Sequence, residues 1–322
     1  MVRAARVTST AGPGALEIVE VPEPVPGPGD VVIEVEAAGV NFPDTLLTRD
    51  LYQYKPGLPF TLGGEVAGTV RQAPPESGFV PGDRVAASTT TGAFAEVVVA
   101  PAHTVGPLPG KVGFVTGACL PMNYLTVTFA LNLRAGLLPG QTVLVHGAAG
   151  GIGSAAVQMA KLMGARVFSV VSTPEKAEFA KGLGSDEVFL ADGFKDAVLD
   201  LTAGGGVDVV VDPVGGDRFT DSLRCLAPLG RALVIGFTEG SIPTVKVNRL
   251  LHNNIDVRGV GWGAFTAKYP QAWRREWDRL VPQLKSGAVE PPVHRIYALE
   301  RVAEAVGLLE ERAVFGKVVI QP

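Results

Sequence analysis

The spacing of apolar and polar residues changes along the chain and predicts two parts of different architecture. Up to about residue 120, short apolar or alternating runs between prolines and glycines predict β-strands at residues 31–37, 64–70, 84–87 and 94–99. Beyond residue 120, strand-like and helix-like segments alternate, at residues 143–146, 152–163, 167–171, 174–181, 187–190, 198–202, 207–212, 219–226 and 232–235. This alternation predicts an α/β part in which helices cover both faces of a parallel sheet.

The C-terminal segment has no apolar core of its own. The pattern predicts a closing strand of the parallel sheet at residues 255–259, helices at 270–284 and 299–309, and a short final strand at 316–321. We therefore expect the terminal segment to complete the N-terminal part. The predicted domains are residues 1–120 with 262–322, and residues 121–261 inserted between them.

A glycine cluster follows the first predicted strand of the parallel sheet and precedes its first helix. Ala148, Gly150 and Gly153 occupy the three positions of the dinucleotide-binding fingerprint, with alanine in place of the first glycine. Small residues there allow a tight turn, a close approach of the backbone to a pyrophosphate and packing of the helix on its strand. The alternative is a plain turn. The fingerprint predicts that the cofactor phosphates contact Ala149, Gly150, Gly151 and Ile152, at the N-terminus of the helix.

The end of the second strand indicates which dinucleotide binds. NAD enzymes carry an acidic residue about 20 residues after the fingerprint, whereas this chain has Ser172 and Thr173 there, with Lys176 one turn later. A carboxylate would repel a 2′-phosphate, and hydroxyls with a lysine would bind it. We therefore predict NADPH as the cofactor. The alternative is that Ser172 and Thr173 only cap the following helix, and both roles are compatible.

Composition and charge exclude several function classes. The formal net charge is −4 with scattered Lys and Arg, which argues against a nucleic-acid surface. We expect no apolar run of membrane-spanning length and no signal peptide in the first 20 residues. The two cysteines, Cys119 and Cys225, are isolated in apolar contexts and are expected to be reduced core residues, with one disulfide as the alternative. These features predict a cytoplasmic protein.

Several short motifs, in their order and spacing, carry a resemblance that spans nearly the whole chain. They are Gly39-Val40-Asn41-Phe42-Pro43-Asp44, Gly63-Gly64-Glu65-Val66-Ala67-Gly68, Pro81-Gly82-Asp83-Arg84-Val85, His146-Gly147-Ala148-Ala149-Gly150-Gly151-Ile152-Gly153, Asp212-Pro213-Val214-Gly215-Gly216 and Gly316-Lys317-Val318-Val319. The chain resembles the zinc-independent quinone oxidoreductase branch of the medium-chain dehydrogenase/reductase superfamily. The resemblance implies a GroES-like, partly open β-barrel catalytic domain, a doubly wound Rossmann domain, and a cleft for the nicotinamide between them.

The metal-binding residues of the zinc-dependent relatives are missing. Gly63-Gly64-Glu65 lacks the histidine of their GHE motif, Asn41 replaces a cysteine ligand, and the four-cysteine loop is absent. We therefore predict no metal. Without a Lewis acid, hydride transfer to a quinone or an α,β-unsaturated carbonyl is favoured over alcohol oxidation, because the conjugated oxygen takes up the charge.

By the same resemblance, particular residues are expected near the nicotinamide and the substrate. Asn41 would lie beside the nicotinamide ribose and polarise the substrate oxygen; its alternative is an Asx turn before Pro43. Tyr52 would line the substrate slot. The other expected cofactor contacts are Thr126, Gly236, Phe237, Thr238, Val260, Gly261, Trp262 and Lys317. For Lys317 a solvated surface role is the alternative, for Phe237 and Trp262 core packing, and for Thr126 a place in the linking helix.

Two other functions remain open at this point. An enoyl-thioester reductase of the acryloyl-CoA type would need a basic surface, for which the candidates are Arg274, Arg275 and Arg279 on one predicted helix. A non-catalytic, quinone-reductase-like protein that binds the cofactor or RNA is the second, and the net acidity argues against RNA. The strand at 255–259 would be a sheet edge, and exposed edges are usually paired, so we expect a homodimer.

Overall fold

The computed structural model describes residues 1–322 and separates into two compact units, Met1–Leu125 with Phe265–Pro322, and Thr126–Ala264. The strands are β1 (Val2–Val7), β2 (Leu16–Val21), β3 (Asp30–Val40), β4 (Phe60–Thr61), β5 (Glu65–Gln72), β6 (Arg84–Ser88), β7 (Val97–Pro101), β8 (Val105–Pro107), β9 (Thr142–His146), β10 (Arg166–Val171), β11 (Glu187–Leu190), β12 (Val207–Asp212), β13 (Leu226–Val234), β14 (Asp256–Gly259), β15 (Val293–Ala298) and β16 (Lys317–Gln321). The α-helices are α1 (Phe42–Leu47), α2 (Phe114–Gly117), α3 (Leu125–Phe129), α4 (Gly151–Leu162), α5 (Pro174–Gly182), α6 (Phe194–Leu201), α7 (Phe219–Arg224), α8 (Asn248–Asn253), α9 (Trp262–Lys268), α10 (Gln271–Ser286) and α11 (Val302–Glu310).

The first unit is built on a mainly antiparallel sheet. Its strand order is β15-β16-β3-β5-β6-β8, β7 also pairs with β3, and β2-β1-β4 form a second small sheet. The 11-residue strand β3 pairs with three neighbours. Its residues 30–34 pair with β7 and its residues 38–40 with β16, while residues 32–38 pair with β5. Its side chains at Ile33 and Val35 join Val66 and Phe94 in a continuous apolar core.

The last strand of the chain completes the sheet of this first unit. β16 lies between β15 and β3, with Val318 opposite Val40 and Ile320 opposite Ala38. Four of its five residues are buried, beginning with Lys317. The C-terminal segment thus belongs to the N-terminal sheet.

The second unit is a parallel six-stranded sheet. Its order is β11-β10-β9-β12-β13-β14, which is the doubly wound order 3-2-1-4-5-6 with the reversal between β9 and β12. Every neighbouring pair is parallel, as the alternation of strands and helices predicts. β14, predicted at residues 255–259, lies at one edge of the sheet. The predicted α/β class is therefore confirmed.

One helical run bears on the expectation that no uninterrupted apolar run reaches membrane-spanning length. Residues Phe114–Ala135 form a 22-residue helical segment whose most apolar window has a mean hydropathy of 1.4, so by length and composition it could cross a membrane. Of that window, 78% is buried inside the protein. Because packed core helices pass the same test, this single segment is weak evidence for a membrane span.

Candidate functional site

The turn between β9 and α4 has the geometry that the fingerprint requires. Gly147 has a φ of +58°, and a Cβ on Gly153 would overlap the carbonyl oxygen of Gly147 and crowd the Cα of Ala148. The Gly150 N–H donates to the Gly147 carbonyl across 2.9 Å, which closes the turn. Glycine at 147 and 153 is therefore required by the chain itself.

Gly150 differs from these two glycines. Its φ of −85° suits any residue, and a Cβ there would be 3.5 Å from its nearest neighbour, the Gly147 carbonyl oxygen. The protein's own packing therefore leaves room at this position, directly before the N-terminus of the 12-residue helix α4. Open space beside unpaired helix N–H groups fits a pyrophosphate, so the residues present fit a dinucleotide.

The end of β10 brings together the residues predicted to contact a 2′-phosphate. The Thr173 hydroxyl oxygen accepts a hydrogen bond from the Lys176 backbone N–H at 3.3 Å, so the capping role at the start of α5 is confirmed. The Lys176 ammonium donates to the Ser172 hydroxyl, also at 3.3 Å and exposed to solvent. The carboxylate that is nearby in sequence, Glu175, is hydrogen-bonded by Thr173, which lowers its pKa.

Two further predicted segments follow strands of the same parallel sheet. Gly236–Thr238 follows β13, where the Thr238 N–H donates to the Pro213 carbonyl and Phe237 packs close to Gly215. The residues at 260–262 follow β14, and the Trp262 ring lies 5.3 Å from that of Phe129. Because the carboxyl ends of parallel strands meet at one edge, the structure brings these segments to the same edge as the fingerprint turn. Thr126 is 8% exposed within the helical run.

In the first unit, Asn41 belongs to a buried cluster of polar groups. Its Oδ1 accepts a hydrogen bond from the Lys317 Nζ at 2.7 Å, and its Nδ2 donates to Glu65 Oε1 at 2.8 Å and to the Gly39 carbonyl at 3.3 Å. Lys317 and Glu65 form an ion pair of 2.7 Å. Asn41, Glu65 and Lys317 are 6%, 0% and 3% exposed. The remaining carboxylate oxygen of Glu65 accepts from the Met122 N–H at 2.8 Å.

This geometry corrects one expectation for Asn41 and supports its alternative. Both hydrogens of its amide nitrogen are used inside the protein, so the amide has no N–H left to polarise a substrate oxygen. The role at the turn before Pro43 is present, because Asn41 is the N-cap of α1 and forms a capping box with Asp44. Within it, the Asp44 carboxylate accepts from the Asn41 backbone N–H at 2.7 Å.

The expectation for Lys317 is corrected as well. Its ammonium donates to the Val40 carbonyl, to Asn41 and to Glu65, which accounts for all three of its protons. A group with three partners and 3% exposure has neither a donor nor a surface to offer a cofactor phosphate. Lys317 is therefore removed from the set of cofactor contacts.

Burial shifts the acidity of three groups near this cluster. It raises the pKa of the Asp44 carboxyl to about 7, against the opposing effects of the Asn41 N–H and the Lys317 charge. Burial and the Asp44 charge raise the pKa of the half-buried Tyr52, so its hydroxyl stays protonated and able to donate. Burial also raises the pKa of Cys119 to about 12, which makes it an unreactive thiol.

Other candidate groups have structural partners. Arg274 pairs with Asp278, and Arg275 and Arg279 pair with the fully buried Glu276, all on α10. All three guanidinium groups are thus engaged by carboxylates of the same helix, which gives little support to a CoA-binding surface. His146 shares a buried hydrogen bond of 2.8 Å with the Ser222 hydroxyl. Cys119 and Cys225 are free and buried, as predicted.

Sequence reasoning missed the importance of Glu65 and Asp44. In the sequence, Glu65 stands out only as part of a motif that lacks a metal-binding histidine. The available signal was an acidic residue at the start of one apolar strand, Glu65-Val66-Ala67, and a basic residue at the start of another, Lys317-Val318-Val319. Opposite charges in two buried strands of one sheet either form an ion pair or remain unpaired, and an unpaired buried charge costs several kcal/mol of stability. In residues 1–322 no group of three or more His, Cys, Asp or Glu side chains has the arrangement of a metal site.

Comparison with known proteins places this geometry in context. Residues 27–110 match the model of the alcohol dehydrogenase GroES-like domain, and residues 151–279 match that of the zinc-binding dehydrogenase family. The chain is 36% identical over 322 residues to a rat (Rattus norvegicus) quinone oxidoreductase-like protein 2, covering 99% of this chain and 91% of the relative. It is 33% identical to a quinone oxidoreductase of Pseudomonas aeruginosa, with 100% of both chains covered. A mycobacterial structure solved with NADPH has 35% identity and a TM-score of 0.93, again covering 100% of both chains.

Proposed function

Because the chain belongs to the quinone oxidoreductase family of medium-chain dehydrogenases/reductases, with its GroES-like and Rossmann domains, we propose that it is an NADPH-dependent enzyme that transfers a hydride to a quinone or an α,β-unsaturated carbonyl compound without a metal ion. The observation that carries the proposal is the pairing of the open fingerprint turn at Gly150 with the acid-free end of β10, where Lys176 reaches Ser172.

The dinucleotide supplies a hydride from its nicotinamide ring when it is bound. Under the proposal, the residues of this chain bind and orient it. Residues 149–152 contact the pyrophosphate, with the N–H groups of Gly151 and Ile152 at the N-terminus of α4 as donors, and Ser172, Thr173 and Lys176 hold the 2′-phosphate. Asn41, Thr126, residues 236–238 and residues 260–262 contact the nicotinamide half. Tyr52, whose raised pKa keeps its proton in place, donates to the substrate oxygen and positions it.

The partners of Asn41 and Glu65 support the absence of a metal from this chemistry. Asn41 stands where zinc-dependent relatives have a cysteine ligand, and Glu65 follows Gly64, which replaces their metal-binding histidine. Here Asn41 and Glu65 both bind Lys317, an internal cation. A second cation next to that ammonium would be repelled. A conjugated acceptor needs no Lewis acid, because the charge that arrives with the hydride is delocalised onto its oxygen.

The assembly proposed for the protein is a cytoplasmic homodimer with no nucleic-acid or membrane partner. β14 is an edge strand, and the segment before it carries the exposed apolar residues Ile242, Val247 and Leu251, each 74–75% exposed. Pairing two copies along β14 would satisfy the edge and cover these residues.

The test is a spectroscopic assay of reduced-nicotinamide oxidation with EDTA-treated protein. We would compare 1,4-benzoquinone, 9,10-phenanthrenequinone, a simple enone and acryloyl-CoA, each with NADPH and with NADH. Turnover of a quinone or enone that prefers NADPH and survives EDTA is the expected result. A preference for acryloyl-CoA would identify the protein as an enoyl-thioester reductase. Binding of NADPH without turnover would favour the non-catalytic alternative.

A further inference from the structure

Residues 213–216, which follow β12, lie between the fingerprint turn and the predicted cofactor-binding segment at residues 236–238. On one side, a Cβ added to Gly147 would be 3.1 Å from Val214 Cγ2, so the Val214 side chain packs directly against the turn. On the other side, the N–H of Glu239, directly after that segment, donates to the Val214 carbonyl across 3.0 Å. A change in the backbone of residues 213–216 therefore reaches both segments.

The Asp212 carboxylate, at the end of β12, fixes the backbone of this connection. Its Oδ1 accepts hydrogen bonds from the Val214 N–H at 2.7 Å and from the Gly215 N–H at 2.9 Å. Gly215 and Gly216 have φ values of +70° and +72°, and two consecutive glycines allow the backbone many other conformations. Because Asp212 is only 2% exposed, it offers these N–H groups an acceptor that is itself held in place.

The charge of Asp212 is unfavourable at this position, which indicates that the residue acts through its acceptor atoms. The adjacent fingerprint turn is the proposed pyrophosphate site, and a carboxylate close to it repels an anionic ligand. His146 does not cancel that charge, because burial lowers its pKa, against the effect of Asp212, and keeps the imidazole neutral at neutral pH. The hydrogen bond of its Nε2 is made to Ser222 and not to Asp212.

We propose that Asp212 is a positioning residue for NADPH, which sets, through residues 213–216, the placement of the fingerprint turn relative to residues 236–238. The inference rests on the proposed function, in which the turn contacts the pyrophosphate and residues 236–238 contact the nicotinamide half. A ligand that spans both segments depends on their relative placement. By contrast, 2′,5′-ADP has no nicotinamide half, so it depends on the turn and on residues 172–176 alone.

The test compares three substitutions of Asp212 in the whole chain. Asp212→Ala removes the acceptor of both N–H groups, so the ligand itself must order the segment when it binds. We expect it to bind NADPH about thirtyfold more weakly, which corresponds to about 2 kcal/mol for two hydrogen bonds. Asp212→Asn retains Oδ1 and removes the charge, and it should bind NADPH at least as tightly as wild type. Asp212→Ser, whose shorter side chain reaches one N–H group, should lie between the two.

Two controls separate positioning from a general loss of structure. The Kd of 2′,5′-ADP, measured by titration calorimetry below the lowest Tm of the set, should be the same in wild type and in all three variants. Asp208, near the other end of β12, also accepts a backbone N–H, that of Thr142 at 2.7 Å. Asp208→Ala should therefore lower the Tm and leave the Kd of NADPH at its wild-type value.

The outcomes are distinct. Equal weakening of NADPH binding in Asp212→Asn and Asp212→Ala would overturn the inference, because the charge and not the acceptor would then matter. Wild-type affinity in Asp212→Ala, or an equal loss of NADPH and 2′,5′-ADP binding, would overturn it as well. If Asp212→Ala does not fold, weaker NADPH binding by Asp212→Ser than by Asp212→Asn supports the inference, and equal binding overturns it. Wild-type protein that binds no NADPH would instead remove the proposed function itself.

Discussion

Lys317 and Glu65 form an ion pair with an Nζ–Oε1 distance of 2.7 Å, and neither side chain is more than 3% exposed. Two charges this deeply buried stabilise each other only as a pair, because the desolvation of each is offset by its partner and by further hydrogen bonds. Val40, Asn41 and Met122 supply those hydrogen bonds.

Removing one member of this ion pair should destabilise the folded protein. We expect Lys317→Met to lower the free energy of unfolding by about 3–5 kcal/mol, since it leaves the Glu65 carboxylate buried without a cation. Urea denaturation followed by circular dichroism measures this loss. Lys317→Met/Glu65→Gln, which removes both charges, should recover part of it. Equal loss in the single and double variants would show that lost packing, not the uncompensated charge, sets the cost.

The raised pKa of Asp44 predicts a pH-dependent stability. The native carboxyl, with a pKa of about 7 against an ordinary value of 3.8, keeps its proton between roughly pH 4 and pH 7 while the unfolded chain loses it. Wild-type stability should therefore fall as pH rises through this window. Asp44→Asn removes the effect, so its unfolding free energy relative to wild type should improve by up to a few kcal/mol from about pH 5 to about pH 8.

Urea unfolding curves at these two pH values make that comparison. Asp50→Asn, at an exposed carboxylate paired with Lys55, serves as the control and should track wild type at both. Parallel pH profiles for wild type and Asp44→Asn would contradict the assignment.

Replacing either of two glycines of the fingerprint turn by alanine should change the Tm and the NADPH affinity in different ways. Gly153→Ala would place a methyl group against the Gly147 carbonyl, and we expect a lower Tm with or without ligand. Gly150→Ala meets no atom of the chain closer than 3.5 Å, so its Tm without ligand should match wild type. Its NADPH affinity should nevertheless fall by about tenfold or more, because the methyl group occupies the space of the pyrophosphate. Thermal unfolding with and without NADPH separates the two cases.

The choice between NADPH and NADH should depend on Lys176. We expect Lys176→Gln to reduce kcat/KM with NADPH about tenfold, through loss of a charge-assisted contact to the 2′-phosphate, and to leave kcat/KM with NADH unchanged. Lys181→Gln is the matched control, because Lys181 lies at the other end of α5 and pairs with Glu178. A similar loss with both cofactors would argue against a 2′-phosphate site at this position.

The homodimer proposal makes a prediction about mass. Leu251→Asp places a carboxylate on an exposed apolar surface next to β14, and it should shift the protein from dimer to monomer at micromolar concentration. Light scattering coupled to gel filtration measures this shift. A wild-type protein that is already monomeric would remove the proposal.

The sequence was sufficient to predict the parallel sheet, because strands and helices there alternate with clear periods. It predicted the bounds of elements less well where burial of side chains, and not the local pattern, decides where an element begins. The helix predicted at 198–202 is the end of α6, which begins at Phe194 because Gly193 adopts a φ of +77° and Phe194 is buried. β13 begins at Leu226, and not at 232, but its pairing with β12 jumps from Val207–Leu226 to Val209–Arg231. The residues between form a bulge in which Leu229 has a φ of +65°.

The candidate site shows the same division. Residues 149–153 form one contiguous run and residues 172–176 another. The arrangement within each run follows from the strand–turn–helix pattern alone. The Asn41 cluster instead joins residues from β3, β5 and β16, and only the fold reveals that the amide nitrogen of Asn41 is already occupied. Short-range patterns carry no information about such long-range partners.

The position of β16 also has a consequence for synthesis on the ribosome. Residues 126–264 are contiguous, so that unit is complete as soon as it has emerged. The first unit is not, since 252 residues separate Glu65 from Lys317. At a translation rate of about 5–20 residues per second, Lys317 is synthesised roughly 13–50 s after Glu65, and the ion pair cannot form before then. The half of the protein that is translated first is therefore the last to acquire its native core.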